Sequence, residues 1–231
     1  MHDRTIGILA GMGPRSTAPF IDAVVDQCQE IYGASFDIEF PKMMILSLPT
    51  PFYMDRPIDH EKMKRTIIGG LRELESTGVD FIAMPCNSAH VYYDDLASSI
   101  KVPLLNIIKE TIANLGDGGP LSLFGTRGTL ASGLYQTGFE QAGVDFEFHD
   151  NWQTKIDEVI SFVKAGNVAT GVAQTWKALL HEVKSAGVQK AVIACTDINA
   201  VLPFTETDMV FIDSTRSLAQ AAVKKFLEIG G

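Results

Sequence analysis

The sequence predicts an α/β protein made of two pseudo-symmetric halves, each a doubly wound parallel sheet. Three observations carry that prediction. Short apolar, β-rich runs alternate with helical patterns along all 231 residues, the alternation that produces parallel sheets covered by helices. The order strand, glycine turn, helix, strand that opens the chain restarts after Asp117-Gly118-Gly119-Pro120, the best boundary signal. Two apolar runs, Phe81–Cys86 and Ala191–Cys195, each end in a cysteine followed by small polar residues. The predicted division is 1–116 plus 213–231 for the half that carries Cys86, and 117–212 for the half that carries Cys195.

Thr5–Leu9 reads as the first strand. Ala10–Pro14 follows as a glycine loop, with Pro14 entering a helix that runs to Tyr32 and holds Cys28 in its core face. Asp37–Leu48 reads as the second strand. The loop after it is long and rich in proline and aromatics. Its Arg56 suits a bidentate hold on a carboxylate, the plainer alternative being a solvated arginine beside Asp55. A helix over Asp59–Ser76 stops at Thr77-Gly78 and leads into the Cys86 strand. A helix to about Ser99, a short strand Val102–Leu105 and a helix to about Gly116 complete the first half.

In the second half, strand Leu121–Phe124 meets the glycine turn Gly125–Thr129, then a helix to about Ala142 and a strand Val144–Phe148. Two amphipathic helices follow, one with Ile156, Val159 and Ile160 on its apolar face, the other with Trp176, Leu179 and Val183. The Cys195 strand, a strand Met209–Ile212 and a terminal helix capped by Asp213 or Ser214 close the chain. Short apolar runs of this kind fit strands buried on both faces. Both halves are therefore expected to be Rossmann-like, with an active cleft between them.

A net charge of −9 argues against nucleic acid or an anionic membrane as partner. The amino terminus has no basic segment leading into a long apolar one, and no window approaches about 18 apolar residues, so a cytoplasmic protein is expected. Three widely spaced cysteines cannot complete a disulfide framework. No CxxC or His/Cys cluster stands at metal-ligand spacing, so no metal is expected. Gly11 and Gly13 lack the third glycine of a dinucleotide fingerprint and no Gly-Lys-Ser/Thr follows. Their loop suits a small anion, such as a carboxylate, held by backbone amides near a helix start.

A single cysteine is most often a small hydrophobe. Two in the same place in two similar units ask for a chemical reason. A redox disulfide, one nucleophile with His90 as its base, or two acid/base groups on opposite faces of a substrate are the options. Redox couples of the thioredoxin type use neighbouring cysteines, and none exist here. Proton transfer by two bases explains both thiols at once: one removes a proton from a carbon beside a carboxylate, the other delivers a proton to the far face. Such a carbanion needs several kcal/mol of charge stabilisation from positioned donors. Asn87, Ser88 and Thr196 are placed to bond the α-carboxylate and amine of a substrate, and backbone donors after each strand end are expected to lower the thiol pKa.

Gly11-Met12-Gly13-Pro14, Pro85-Cys86-Asn87-Ser88-Ala89-His90, the turn Gly125–Thr129 and Cys195-Thr196-Asp197 together resemble the cofactor-independent aspartate/glutamate racemases. The likeness runs from residue 6 to the terminal helix. It implies a fold of two α/β halves with the last helix returning to the first, no cofactor, and frequently a homodimer. It implies that Cys86 takes the proton from the D-enantiomer and Cys195 from the L-enantiomer. The head of the amino acid would lie on Met12, Asn87, Ser88, Thr126, Thr129 and Thr196. Arg56 and Lys164 stand where aspartate-type members bind the side-chain carboxylate, so aspartate is the expected substrate and glutamate the next. Ser88 replaces the usual threonine, Ala194 the usual glycine and Asp197 the usual glutamate. Maleate isomerases, hydantoin racemases and arylmalonate decarboxylases share the fold and one or both thiols, so a related isomerase or decarboxylase is the enzymatic alternative. A non-catalytic carboxylate-binding protein is the alternative of a different class.

Overall fold

The computed structural model describes residues 4–52, 57–116, 119–166, 171–202 and 205–229. Contacts divide the chain into two compact units, Met1–Ile107 with Thr215–Gly231, and Ile108–Ser214.

The first unit begins with β1 (Thr5–Ala10), every residue of which is buried. Helix α1 (Thr17–Tyr32) buries Phe20, Val24 and Cys28 and ends at Gly33 in a left-handed conformation. Strand β2 (Lys42–Ser47), helix α2 (His60–Ser76) and strand β3 (Phe81–Ala83) follow. Asp59 caps α2 by accepting the Lys62 N–H at 2.9 Å. The strands are parallel, in the order β2-β1-β3. Ile82 donates its N–H to Pro103 O at 2.8 Å and accepts the Leu105 N–H at 2.9 Å, a one-residue parallel bridge to Leu104. Successive residues of a strand turn their backbone groups to opposite neighbours. Leu104 therefore lies beyond β3 from β1, and with the unit's own segments counted in chain order, Leu104 being the fourth, the spatial order is 2-1-3-4.

After α3 (Tyr93–Ser98) and α4 (Ile107–Ala113), the second unit repeats this wiring. Strand β4 (Leu121–Gly125) leads to α5 (Arg127–Ala131), α6 (Leu134–Gln141), α7 (Asp150–Lys164) and α8 (Gly171–Ser185), then β5 (Lys190–Ala194) and β6 (Val210–Asp213). The order is β4-β5-β6, all parallel. Leu121 bridges Phe146 through the Asp145 carbonyl and the Glu147 amide, both at 2.9 Å. By the same alternation Phe146 lies beyond β4 from β5, so the order is again 2-1-3-4. Phe124 meets Trp176 edge-on at 5.7 Å within a core that α7 and α8 lay over β4 and β5. The last helix, α9 (Ser214–Glu228), packs with the first unit. There Arg4 donates to Phe226 O at 2.7 Å, and Arg216 pairs with Glu30.

Four expectations are corrected. The second strand starts at Lys42, not Asp37. The Glu39 carboxylate turns back to accept the Ser35 and Phe36 amides at 2.7 and 3.0 Å, which curls Asp37–Glu39 into a 3-10 turn before Pro41. The helix expected to run from the glycine turn to Ala142 breaks into α5 and α6 at Gly133, where φ is 69°. Val144–Phe148 contributes one bridge rather than a strand, and the same holds for Val102–Leu105. Both outer segments are too short to carry a ladder.

Candidate active site

In an open α/β sheet, ligands bind beyond the carboxyl ends of the strands where the winding reverses. In the 2-1-3-4 order that point lies between the first and third strands. The first unit places the Gly11–Gly13 loop after β1 and Cys86 three residues after β3. The second places the Gly125–Thr129 turn at the end of β4 and Cys195 directly after β5. Each unit thus sets a glycine loop and a thiol side by side at its switch point.

Gly11 is needed for that geometry. Its φ is +92°, and a Cβ there would stand 2.5 Å from Leu48 N and 2.7 Å from Leu48 O, because the Leu48 N–H donates to Ala10 O at 2.9 Å and ties the loop to the end of β2. Gly11→Ala is expected to cost about 2–4 kcal/mol of stability, read by chemical denaturation, through strain and a backbone clash that cannot relax locally. Met12, next in the loop, is half-buried against the first-unit core.

Cys86 is half-buried, Asn87 is buried and Ser88 is exposed. His90 does not serve as the base that its spacing from Cys86 suggested. Its ring is buried, and the Ile107 N–H donates to Nε2 at 3.2 Å, which makes Nε2 the acceptor. The proton therefore sits on Nδ1, which donates to the Cys86 carbonyl at 2.8 Å. Burial holds the imidazole below its ordinary pKa, hence neutral. His90 stacks on Tyr93 at 5.8 Å and braces the backbone of Cys86. Arg56 lies outside the described residues.

In the second unit Thr126 caps α5: its Oγ1 accepts the Thr129 N–H at 3.2 Å and is hydrogen-bonded to Thr129 Oγ1 at 3.0 Å. Gln153 on α7, unremarked in the sequence, donates to Gly125 O at 3.1 Å and to Asp157 at 2.7 Å, and Asp157 pairs with Arg127. A polar residue on the otherwise apolar stripe of Ile156 and Ile160 was the available signal. Ala194, in place of glycine, is accommodated across from a glycine: a Cβ on Gly125 would lie 3.4 Å from the Ala194 methyl.

Cys195 is 7% exposed. Its Sγ donates to Asp197 Oδ2 at 3.7 Å, and the same oxygen pairs with Lys164 Nζ at 3.1 Å. Thr196 is half-buried beside it. The Asp197 and Ile198 amides do lower the thiol pKa as expected, and the Lys164 charge adds to them, but burial first and the Asp197 carboxylate second outweigh them. The result is a thiol pushed up to about 12 rather than lowered. Among the described residues, which include all three cysteines, none forms a disulfide.

Each half of the duplicated α/β fold thus carries one thiol and one glycine loop at its switch point. The family model for Asp/Glu/hydantoin racemases matches residues 9–222, and the chain belongs to that family. It is 46% identical over 223 residues to the broad specificity amino-acid racemase RacX of Bacillus subtilis, covering 96% of this chain and 98% of the relative. The aspartate racemase of Picrophilus torridus superposes with a TM-score of 0.80 at 25% identity, over 96% of this chain and 94% of the other. A glutamate racemase from Francisella tularensis, solved with D-glutamate, shares the fold at TM-score 0.67 and 15% identity, over 99% of this chain and 83% of that one. The chain is an amino-acid racemase of this family.

Proposed function

We propose that this racemase inverts Cα of free α-amino acids without a cofactor, with Cys86 and Cys195 acting on opposite faces of the carbon. The observation that carries the reading is the duplication itself: a thiol beside a glycine loop at the switch point of each unit. One thiolate takes the Cα proton, and the electron pair moves into the α-carboxylate as an enediolate. The other thiol gives its proton to the opposite face and is left as the thiolate. By family likeness Cys86 works on the D-enantiomer and Cys195 on the L-enantiomer. Burial keeps Cys195 protonated at neutral pH, the form that delivers a proton. Met12, Asn87, Ser88, Thr126, Thr129 and Thr196 hold the amino-acid head and supply donors to the enediolate.

Side-chain preference has two forms. Arg56 and Lys164 suit acidic substrates, aspartate first and glutamate second. The breadth of the Bacillus relative, together with a Lys164 already paired to Asp197, favours a wider range that includes uncharged side chains. The working form is proposed to be a cytoplasmic homodimer, for which sedimentation in solution is the check. No helix among the described residues is long and apolar enough to cross a membrane.

The test is loss of optical activity from either enantiomer of aspartate, glutamate and a neutral panel, followed by circular dichroism with dialysed protein. Decay to zero from both sides, unaffected by hydroxylamine, is expected. Persistent optical activity throughout the panel would overturn the reading. Released carbon dioxide or a geometric isomer would point to the decarboxylase or isomerase alternative, and binding without turnover to a carboxylate-binding protein.

A further inference from the structure

Lys164 closes α7, and Asp197 begins the 3-10 turn that follows Cys195, with its carbonyl accepting the Ala200 amide at 3.2 Å. Their side chains meet at 3.1 Å and are 32% and 15% exposed, so the carboxylate is the more sheltered partner. The hydrogen bond from Cys195 Sγ to the same Asp197 oxygen places this ion pair against a reacting thiol. Resting on the racemase reading above, we propose that Asp197 is a specificity-determining residue: by neutralising Lys164 it turns the enzyme away from side-chain carboxylates and toward α-amino acids with uncharged side chains.

The physical argument is a competition. A substrate carboxylate that reaches for Lys164 must either displace Asp197 or stand beside it. Displacement leaves a sheltered carboxylate without its cation, which is far more costly than losing an exposed pair. Standing beside it sets two like charges on one ammonium. A neutral side chain leaves the pair whole and meets no such penalty. Asp197 thereby acts as a built-in occupant of the position that a substrate carboxylate would take. Its distance to Cys195 also means that changing it alters the thiol, so absolute rate is the wrong readout and a ratio between substrates of matched size is the right one.

Aspartate and asparagine differ in charge and hardly in shape. The ratio of their kcat/KM values is to be measured for the wild type, Asp197→Asn, Asp197→Ser and the double variant Asp197→Asn with Lys164→Met, each checked for folding by thermal unfolding. Both single variants are expected to raise the aspartate-to-asparagine ratio by about tenfold or more, the factor that corresponds to ~1.4 kcal/mol of transition-state binding. The double variant is expected to return the ratio to the wild-type value or below, because the freed cation is the agent. An unmoved ratio in Asp197→Asn and Asp197→Ser, or a rise that survives loss of Lys164, overturns the proposal. Absence of Cα hydrogen exchange with every amino acid overturns the racemase reading and this inference with it, whereas turnover with an unmoved ratio overturns the inference alone.

Discussion

Cys86→Ser and Cys195→Ser are each expected to lower racemisation of either enantiomer by about 10³-fold, the scale of a positioned acid or base. A serine hydroxyl keeps the shape but is too weak an acid to exchange a proton with Cα at neutral pH. The loss should fall on kcat more than on KM, because the amino-acid head is held by other groups. Cys28 provides the internal control. It is buried in α1 and its thiol is raised by burial, so Cys28→Ala should weaken folding modestly and leave kcat/KM unchanged. A Cys28 variant as inactive as the other two would mean that thiol loss acts through stability rather than chemistry.

His90→Leu is expected to cost about 3 kcal/mol of stability by chemical denaturation. It removes the donor to the Cys86 carbonyl and the acceptor of the Ile107 amide, at about 1–3 kcal/mol for each buried backbone group affected. Activity should fall with stability, since Cys86 loses the brace on its own carbonyl. The pH dependence separates this role from that of a base. The folded-state pKa of His90 is depressed, so its contribution to stability is present above the unfolded value of about 6.5 and is lost as pH falls below it toward the folded value. Between pH 7.5 and 5 the wild type should therefore lose stability with a slope that His90→Leu lacks. Equal slopes in both proteins would contradict a buried neutral imidazole.

Much of this was legible in the chain. The two cysteine stretches could be placed at strand ends because Phe81–Ala83 and Ala191–Ala194 are unbroken apolar runs that stop in small polar residues, a pattern set locally. The duplication could be read from the repeated strand and glycine turn. What escaped depends on pairing across the fold. Nothing in the sequence around Lys164 or Asp197 says that they meet, since they sit on separate elements. His90 has a spacing that fits a general base, and only the positions of Ile107 N and Cys86 O show both ring nitrogens already engaged. Asp37–Leu48 reads as one strand from its sequence, yet Ile38 is 73% exposed and Glu39 ties the turn to itself. The Cys195 thiol lies above its ordinary pKa rather than below it, and the motif hides this: backbone donors are visible in a motif and burial is not.

The central claim, that two thiols handle the proton separately, is tested most directly by early-time racemisation of a protonated substrate in heavy water. A thiol carries one proton. The base that takes hydrogen from Cα therefore returns the same hydrogen if the step reverses, while the opposite thiol, already exchanged with solvent, delivers deuterium. The expected result, starting from either enantiomer, is product fully deuterated at Cα and recovered substrate still protonated. Deuterium appearing at equal rates in recovered substrate and product would show one exchanging base serving both faces, and would contradict the paired roles of Cys86 and Cys195.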